Sequence, residues 1–212
     1  MGTPSALHQS NWRQGTIIPH ELVDSSALPT GVGLDARLIV VSHDCDLVHP
    51  SYDTEPYVEF VIARPRAVTA RDGRFFHGKN PRRLQLWLSI EGEQQLFEIS
   101  AHEKHRMSKN MLERGRPDAR CSLSAAGVQT LARWLSKRYY RPAFPSEFNR
   151  RINPVAKNIE KSMAANGEDV SSIFIAFLGP TVNCRHRNRT RSSFVLLFQL
   201  LPLRMTNLNR EP

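Results

Sequence analysis

The sequence predicts an α+β fold: a small, mainly antiparallel, barrel-like sheet with a helical insertion at about residues 123–166. Three observations predict it. Leu84, Leu86, Leu88 and Ile90 alternate with Gln85, Trp87 and Ser89, then turn at Glu91–Glu93 into Gln95–Ser100, the pattern of a half-buried hairpin. Helical periodicity begins only after residue 122, and two apolar runs follow it. Strands, then helices, then strands is the order of an α+β chain, not the regular alternation of a doubly wound sheet.

Arg13–Ile18 reads as a short first strand closed by Pro19, and the stretch Asp24–Asp35, with Pro29, Gly31 and Gly33, as a loop. A second strand runs from Leu38 to about His43. Tyr57–Ala63, between Pro56 and Pro65, is a third. After the hairpin, Ser122 or Ser124 can cap a helix whose apolar stripe is Val128, Leu131, Leu135 and Tyr139, with Pro142 as its stop. Ser146 can cap a short helix. Pro154 at a first helical position starts another, with Val155, Ile159 and Met163 as its buried face and Gly167 as its end. Runs starting at residues 171 and 193 read as two buried strands joined by an arginine-rich loop. The whole is expected to be one domain, 1–212, with the helices as a subdomain.

A chain of 212 residues can bury a sizeable core without staples. Cys45, Cys121 and Cys184 are an odd, widely spaced set without a CxxC pair, which points to a reducing compartment. The start of the chain lacks the features of a signal peptide, and Phe194–Leu203 is too short to span a bilayer, so the expectation is a cytoplasmic protein without membrane attachment. The net charge of +9 is unevenly spread. Residues 1–60 hold two cations against eight carboxylates, whereas the remainder holds 27 cations against 12 carboxylates. Carboxylates that gather a divalent metal beside arginines that hold phosphates are a common arrangement in nucleic-acid enzymes.

The acidic third contains the first candidate site. The apolar run of Arg37–Asp46 ends in His43, Asp44, Cys45 and Asp46. In a continuing strand Ser42, Asp44 and Asp46 face one side and His43 and Cys45 the other. Asp44 and Asp46, with Glu59 from the next strand and Glu55 nearby, supply enough oxygens for one Mg²⁺ or Mn²⁺. The alternative for the aspartates is a turn, and Glu59 equally fits a solvent-facing side with Tyr57. Glu59-Phe60-Val61 lacks the lysine of a PD-(D/E)xK nuclease. Cys45 beside His43 is the pair a thiol hydrolase uses, and a packed core thiol is the plainer reading. Zinc on Cys45, His43, His49 and Cys184-x-His186 ranks lower, because no ligand pair has structural-zinc spacing.

Three basic segments are candidates for nucleic-acid contact. Arg64–Arg83 includes Arg74, Lys79, Arg82 and Arg83, interleaved with Phe75, Phe76 and His77. The helical region contributes Arg138 and Arg141. The loop between the last two strands contributes Arg185, Arg187, Arg189 and Arg191. A solvated face or an acidic protein partner would give the same pattern.

LIVVSHDCDLVH (38–49), GKNPRRLQL (78–86) and RYYRPAFPSEFNRR (138–151) together resemble a group of bacterial proteins without an assigned activity. That group has a Ser-x-Asp-Cys-Asp strand end, an Asn-Pro-Arg segment and an Arg-Pro-x-Phe-Pro segment. A weaker likeness is to the small barrel of PemK-type toxin ribonucleases, through Arg13-Gln14-Gly15 before a strand and Leu38–Ser42 as the returning one. The acidic loop after His43 and the helices after 122 depart from that barrel. The resemblances imply a bacterial or phage protein. The expected function is that of a nucleic-acid-directed protein: a metal-dependent nuclease or toxin-like effector of a defence or mobile-element locus, with a protein partner from the same locus. The alternatives are a non-catalytic nucleic-acid or protein binding module with a structural SHDCD strand end, and a cysteine-dependent hydrolase.

Overall fold

The computed structural model describes residues 6–24, 28–140, 146–178 and 193–200. In chain order its elements are α1 (Ala6–Gln9), β1 (Ile17–Ile18), β2 (Arg37–Val40), α2 (Asp44–Leu47), β3 (Tyr57–Arg66), β4 (Arg83–Ile90), β5 (Glu93–Ser108), α3 (Lys109–Leu112), β6 (Cys121–Leu123), α4 (Ala125–Tyr140), α5 (Ser146–Asn166), β7 (Val170–Leu178) and β8 (Ser193–Leu200). The α+β expectation holds. Six strands form one antiparallel sheet in the order β1-β2-β3-β5-β4-β6. Its two edges meet where Asp118 N–H donates to Ile17 O at 2.9 Å, so the sheet is nearly closed into a barrel. β7 and β8 pair with each other in a separate two-stranded sheet.

The β4–β5 hairpin is as the alternation predicts, Leu84 against Ile99 and Leu86 against Phe97. Its two-residue turn places Glu91 at φ 52° and Gly92 at φ 90°, the left-handed pair that matches the twist of the flanking strands. β5 then continues to Ser108, well past the expected end. Its first half pairs with β4 and the end of β3, its second half with the start of β3, across an irregularity between Val61 and Ala63. β2 is buried on both faces. Ile39 faces inward with Val61, Ala63, Leu84, Leu86 and Phe97, while Leu38 and Val40 face outward with Phe60 and Ile62. Leu7, Trp12, Leu47 and Leu112 cover that outer face, and Trp12 Nε1–H donates to Leu112 O at 3.1 Å.

α4 packs onto the inner core through Leu131 and Trp134. Ser124 Oγ accepts from Gly127 N–H at 3.1 Å, so of the two expected caps Ser124 is the one used. The expected stripe is shorter than its spacing suggested: Leu131 is buried, but Tyr139 is 78% exposed. The two expected helices after residue 146 are one, with Pro154 inside α5. The helix gives up one hydrogen bond there and continues. Met163 is buried as expected, Ile159 only partly, and Val155 is 45% exposed. At the far end of α5 a tight turn at Gly167–Asp169 lies against the segment Gly73–Gly78. A Cβ at Gly73 would fall 2.4 Å from Met163 O and 2.5 Å from Gly167 N, so the two backbones touch.

Candidate functional site

The strand does not continue through the SHDCD segment. β2 ends at Val40, and Glu59 O accepts from both Val41 N–H (2.9 Å) and Ser42 N–H (3.4 Å), which bends the chain away. His43, at φ −65° and ψ 149°, then caps α2, its Nδ1 accepting from Cys45 N–H at 3.2 Å. A residue with an acceptor side chain two positions before a free N–H starts a helical turn in this way. The two-sided arrangement expected for residues 42–46 is therefore replaced by one turn of helix. His43, Asp44, Cys45 and Asp46 are all exposed, while Ser42 and Leu47 are buried.

Several polar groups of this turn have structural tasks. Ser42 Oγ accepts from Glu59 N–H at 2.8 Å, and Asp44 Oδ1 accepts from Gln14 N–H at 2.7 Å. Asp46 contributes its carbonyl, which accepts from Lys109 Nζ. Lys109 is buried, with its ammonium 5.5 Å from the Tyr52 ring centroid. Burial holds the Lys109 pKa below the usual lysine range, against the opposing fields of Glu55 and Asp46. Tyr52 in turn donates to Glu113 Oε1 at 2.5 Å. Burial first and this bond second push the phenol up to about 12. Cys45 is an exposed free thiol, not the packed one the plainer reading expected. His43 Nδ1 is occupied as the acceptor of the Cys45 N–H.

Glu59 is elsewhere. It continues the inward face of β3 beyond Val61, to the point where that face leaves the barrel, and its carboxylate meets Lys104 Nζ at 2.9 and 3.0 Å. Tyr57 shares its face and is 47% exposed, as the solvent-facing alternative has it. Among the described residues, no three His, Cys, Asp or Glu side chains come together as a metal site would require. Asp44, Asp46 and Glu59 are not brought to one point.

The arginine-rich segment after β3 folds inward. Glu98, 5% exposed at its side chain, accepts from Arg66 Nη2 (2.8 Å), from Arg83 Nη2 (2.7 Å) and from Gln85 Nε2 (3.1 Å). The guanidiniums hold its carboxyl below the usual range, against the opposing effect of burial. Arg83 also lies 4.2 Å over the Phe75 ring. Arg74 makes a forked pair with Asp72, at 2.6 Å for its shortest contact. Lys79 Nζ donates to Gly167 O and to Val170 O (2.6 Å), and burial pushes its pKa down to about 8. Arg71 pairs with Glu168 at 2.9 Å, and His77 Nε2–H donates to Glu168 O at 2.5 Å. Of the cations expected here to contact nucleic acid, Arg74, Lys79 and Arg83 instead bind the protein to itself. Arg82 is exposed. Arg141, Arg185, Arg187, Arg189 and Arg191 lie outside the described residues, as does Cys184.

One cleft opens at the barrel mouth, between β3, β5 and the last turns of α4. It has a volume of about 170 Å³, with Val41, Ala101 and Leu135 as its apolar floor and Glu59, Lys104, Arg138 and Tyr139 around it. Lys104 is held protonated above the usual range by Glu59 and, to a smaller extent, by Tyr139. Arg106 stands directly across the strand pair from Glu59 and lies 4.6 Å over the Tyr57 ring. Lys137, Arg138, Tyr139 and Tyr140 end α4 beside the cleft, all exposed, with Tyr140 at 90%. Sequence reasoning reached Glu59 and Arg138 but missed Lys104, Arg106 and the two tyrosines. For the tyrosines a signal was present, since they lie in the stretch from Ala119 to Ser146, which holds five cations and no carboxylate; Lys104 and Arg106 lie outside it. Compared with models of protein families, with curated proteins and with solved structures, the chain matches none.

Proposed function

We propose that the chain is a nucleic-acid-directed binding protein whose interface is the barrel mouth and the exposed end of α4. One observation carries this reading: Tyr139 and Tyr140 are 78% and 90% exposed among Lys137 and Arg138, beside a cleft. Cations in the last turn of a helix also answer its dipole, so they alone mean little. Tyr139 also meets Lys104, but the ring of Tyr140 in water beside these cations has no such explanation. Aromatic faces among cations suit stacked bases with adjacent phosphates. The arrangement supports binding over cleavage, since Asp44 and Asp46 sit on an exposed turn while Glu59 is paired at the mouth. The likeness of the SHDCD and Arg-Pro-x-Phe-Pro segments to bacterial proteins adds a bacterial or phage source. A cytoplasmic setting and a protein partner encoded nearby belong to the same reading.

Fluorescence anisotropy with labelled 20-nucleotide DNA and RNA, single-stranded and duplex, over a salt series tests it. Binding should weaken with salt. The double variant Lys137→Gln/Arg138→Gln should bind about tenfold more weakly at low salt, with a slope shallower by about one to two, as fewer counterions are released. Tyr139→Ala/Tyr140→Ala should lose at least about fivefold, from lost stacking. No binding by the intact protein at about 50 mM salt would sink the reading. The same samples incubated with Mg²⁺, Mn²⁺ or EDTA report on cleavage. Metal-dependent product that disappears in Asp46→Asn would restore the nuclease reading.

A further inference from the structure

We infer that the barrel-mouth cleft contains a subsite for a phosphate group, and that the Glu59 carboxylate occupies it in the free protein. The inference rests on the nucleic-acid reading and adds how that site is regulated. Glu59 is the carboxylate at the centre of a cationic mouth: Lys104 contacts both of its oxygens, Arg106 is its cross-strand partner, and Arg138 lines the same cleft. The cleft is therefore lined by two cations for one anion, with Arg106 on the neighbouring strand position. Apart from Ser136 its other walls are apolar or aromatic, from Val41, Ala101, Leu135 and Tyr139, which strengthens a charge interaction there relative to open water. A carboxylate on a β-strand has little reason to face the mouth of an apolar barrel unless a cation holds it, and Lys104 does. The carboxylate and a phosphate oxygen pair offer a lysine the same kind of partner. An incoming phosphate would take Lys104 from Glu59 and move Glu59, which is half exposed, outward into solvent. The pair thus sets a threshold: a ligand must compete with an internal anion before Lys104 contributes.

This has a signature opposite to that of a contact residue. Removing Glu59's charge should tighten binding, and only if Lys104 is present. The experiment is a double-mutant cycle on the full chain with Glu59→Gln, Lys104→Gln and the double variant, using the labelled single-stranded 20-mer over the same salt series. Thermal melts confirm that each variant folds. Glu59→Gln is expected to bind about fivefold more tightly, with a salt slope steeper by about 0.7 to 0.9 for one more phosphate contact. In the Lys104→Gln background the same change should do almost nothing. An equal gain in both backgrounds would mean a diffuse field effect and overturn the subsite, as would no gain at all. If no variant binds the oligonucleotide, the nucleic-acid reading fails, and thermal shift with inorganic phosphate and pyrophosphate then decides the subsite alone. Stabilisation of Glu59→Gln beyond the parent protein would uphold it for small phosphates. Equal or no stabilisation would overturn it.

Discussion

The two cation-rich regions of this barrel use the same residue type for opposite ends. In the segment from Arg64 to Arg83, the guanidiniums of Arg66 and Arg83 converge on one buried carboxylate, Arg74 closes on Asp72, and Lys79 donates to the carbonyls of Gly167 and Val170. At the barrel mouth, Lys137 and Arg138 end a helix in solvent, beside exposed tyrosines. By sequence the first region is the stronger nucleic-acid candidate, with seven cations and a single carboxylate from Arg64 to Arg83. By structure it is the weaker one, because its charge is spent on carboxylates and carbonyls supplied by other parts of the chain. Charge becomes available for a partner only where the fold leaves it without an internal acceptor.

The largest effect that can test this contrast lies at Glu98. Glu98→Gln keeps the shape but removes the charge that Arg66 and Arg83 share, and should cost about 1.5 to 3 kcal/mol in urea unfolding, since charged hydrogen bonds to a buried carboxylate are lost while the arginines themselves stay nearly half exposed. A loss under about 0.5 kcal/mol would put the cluster among ordinary surface pairs and erase the contrast. The next test exchanges the regions directly. Arg83→Gln should lose about 1 to 2 kcal/mol of stability, from a charged hydrogen bond and the Phe75 contact, with oligonucleotide affinity unchanged in the folded protein. Arg138→Gln should leave stability within about 0.5 kcal/mol and weaken binding about threefold. Reversed outcomes would reinstate the Arg64–Arg83 segment as the interface.

The smallest effect is a pH dependence. Burial lowers the Lys79 pKa to about 8 from an ordinary value of 10.5. Between those values the unfolded chain holds the proton and the folded one does not, so this group makes stability rise as pH increases through that window. Tyr52 acts in the opposite sense above about pH 10, because the fold raises its pKa to about 12. Comparing the Lys79→Met variant with the parent protein from pH 7.5 to 9.5 isolates the lysine. The parent's stability should climb relative to the variant's. Parallel curves would show that Lys79 keeps an ordinary lysine pKa in the fold.

How much of this was legible beforehand depended on how local each cause is. The β4–β5 hairpin could be read because one-sided burial writes itself directly into alternation at Leu84, Leu86, Leu88 and Ile90. β2 could be read because burial on both faces leaves an unbroken apolar run. The second half of β5 could not: His102–Arg106 is polar and charged, and the strand persists because Lys104–Ser108 pairs with Tyr57–Val61, some forty to fifty residues earlier. The SHDCD exit was misread for a related reason. A strand continued by one residue looks identical in sequence to a strand stopped by a histidine cap, and the stop is set by the bend at Glu59 O. Pro154 signalled a helix start, but α5 runs through it. The site residues divide in the same way. Glu59 stood out as a charge within an apolar strand, but its partner Lys104 and the buried Lys109 carry no local mark of what they meet.

The contact between Gly73 and Gly167 has a consequence for how this chain can change over generations. Neither glycine has the positive φ that usually explains one, so backbone strain places no demand on either. Their constraint is mutual, imposed by a main-chain contact between positions 94 residues apart. Any side chain at Gly73 would drive it into the carbonyl of Met163 or the amide of Gly167, and one at Gly167 would meet Gly73 in return. Flexible neighbours cannot relieve such a clash, because backbone atoms on both sides make it. The two positions should therefore be inherited as a unit. Neither substitution compensates the other, and a lineage that loses one glycine must rebuild the whole junction between the barrel and its helical arm.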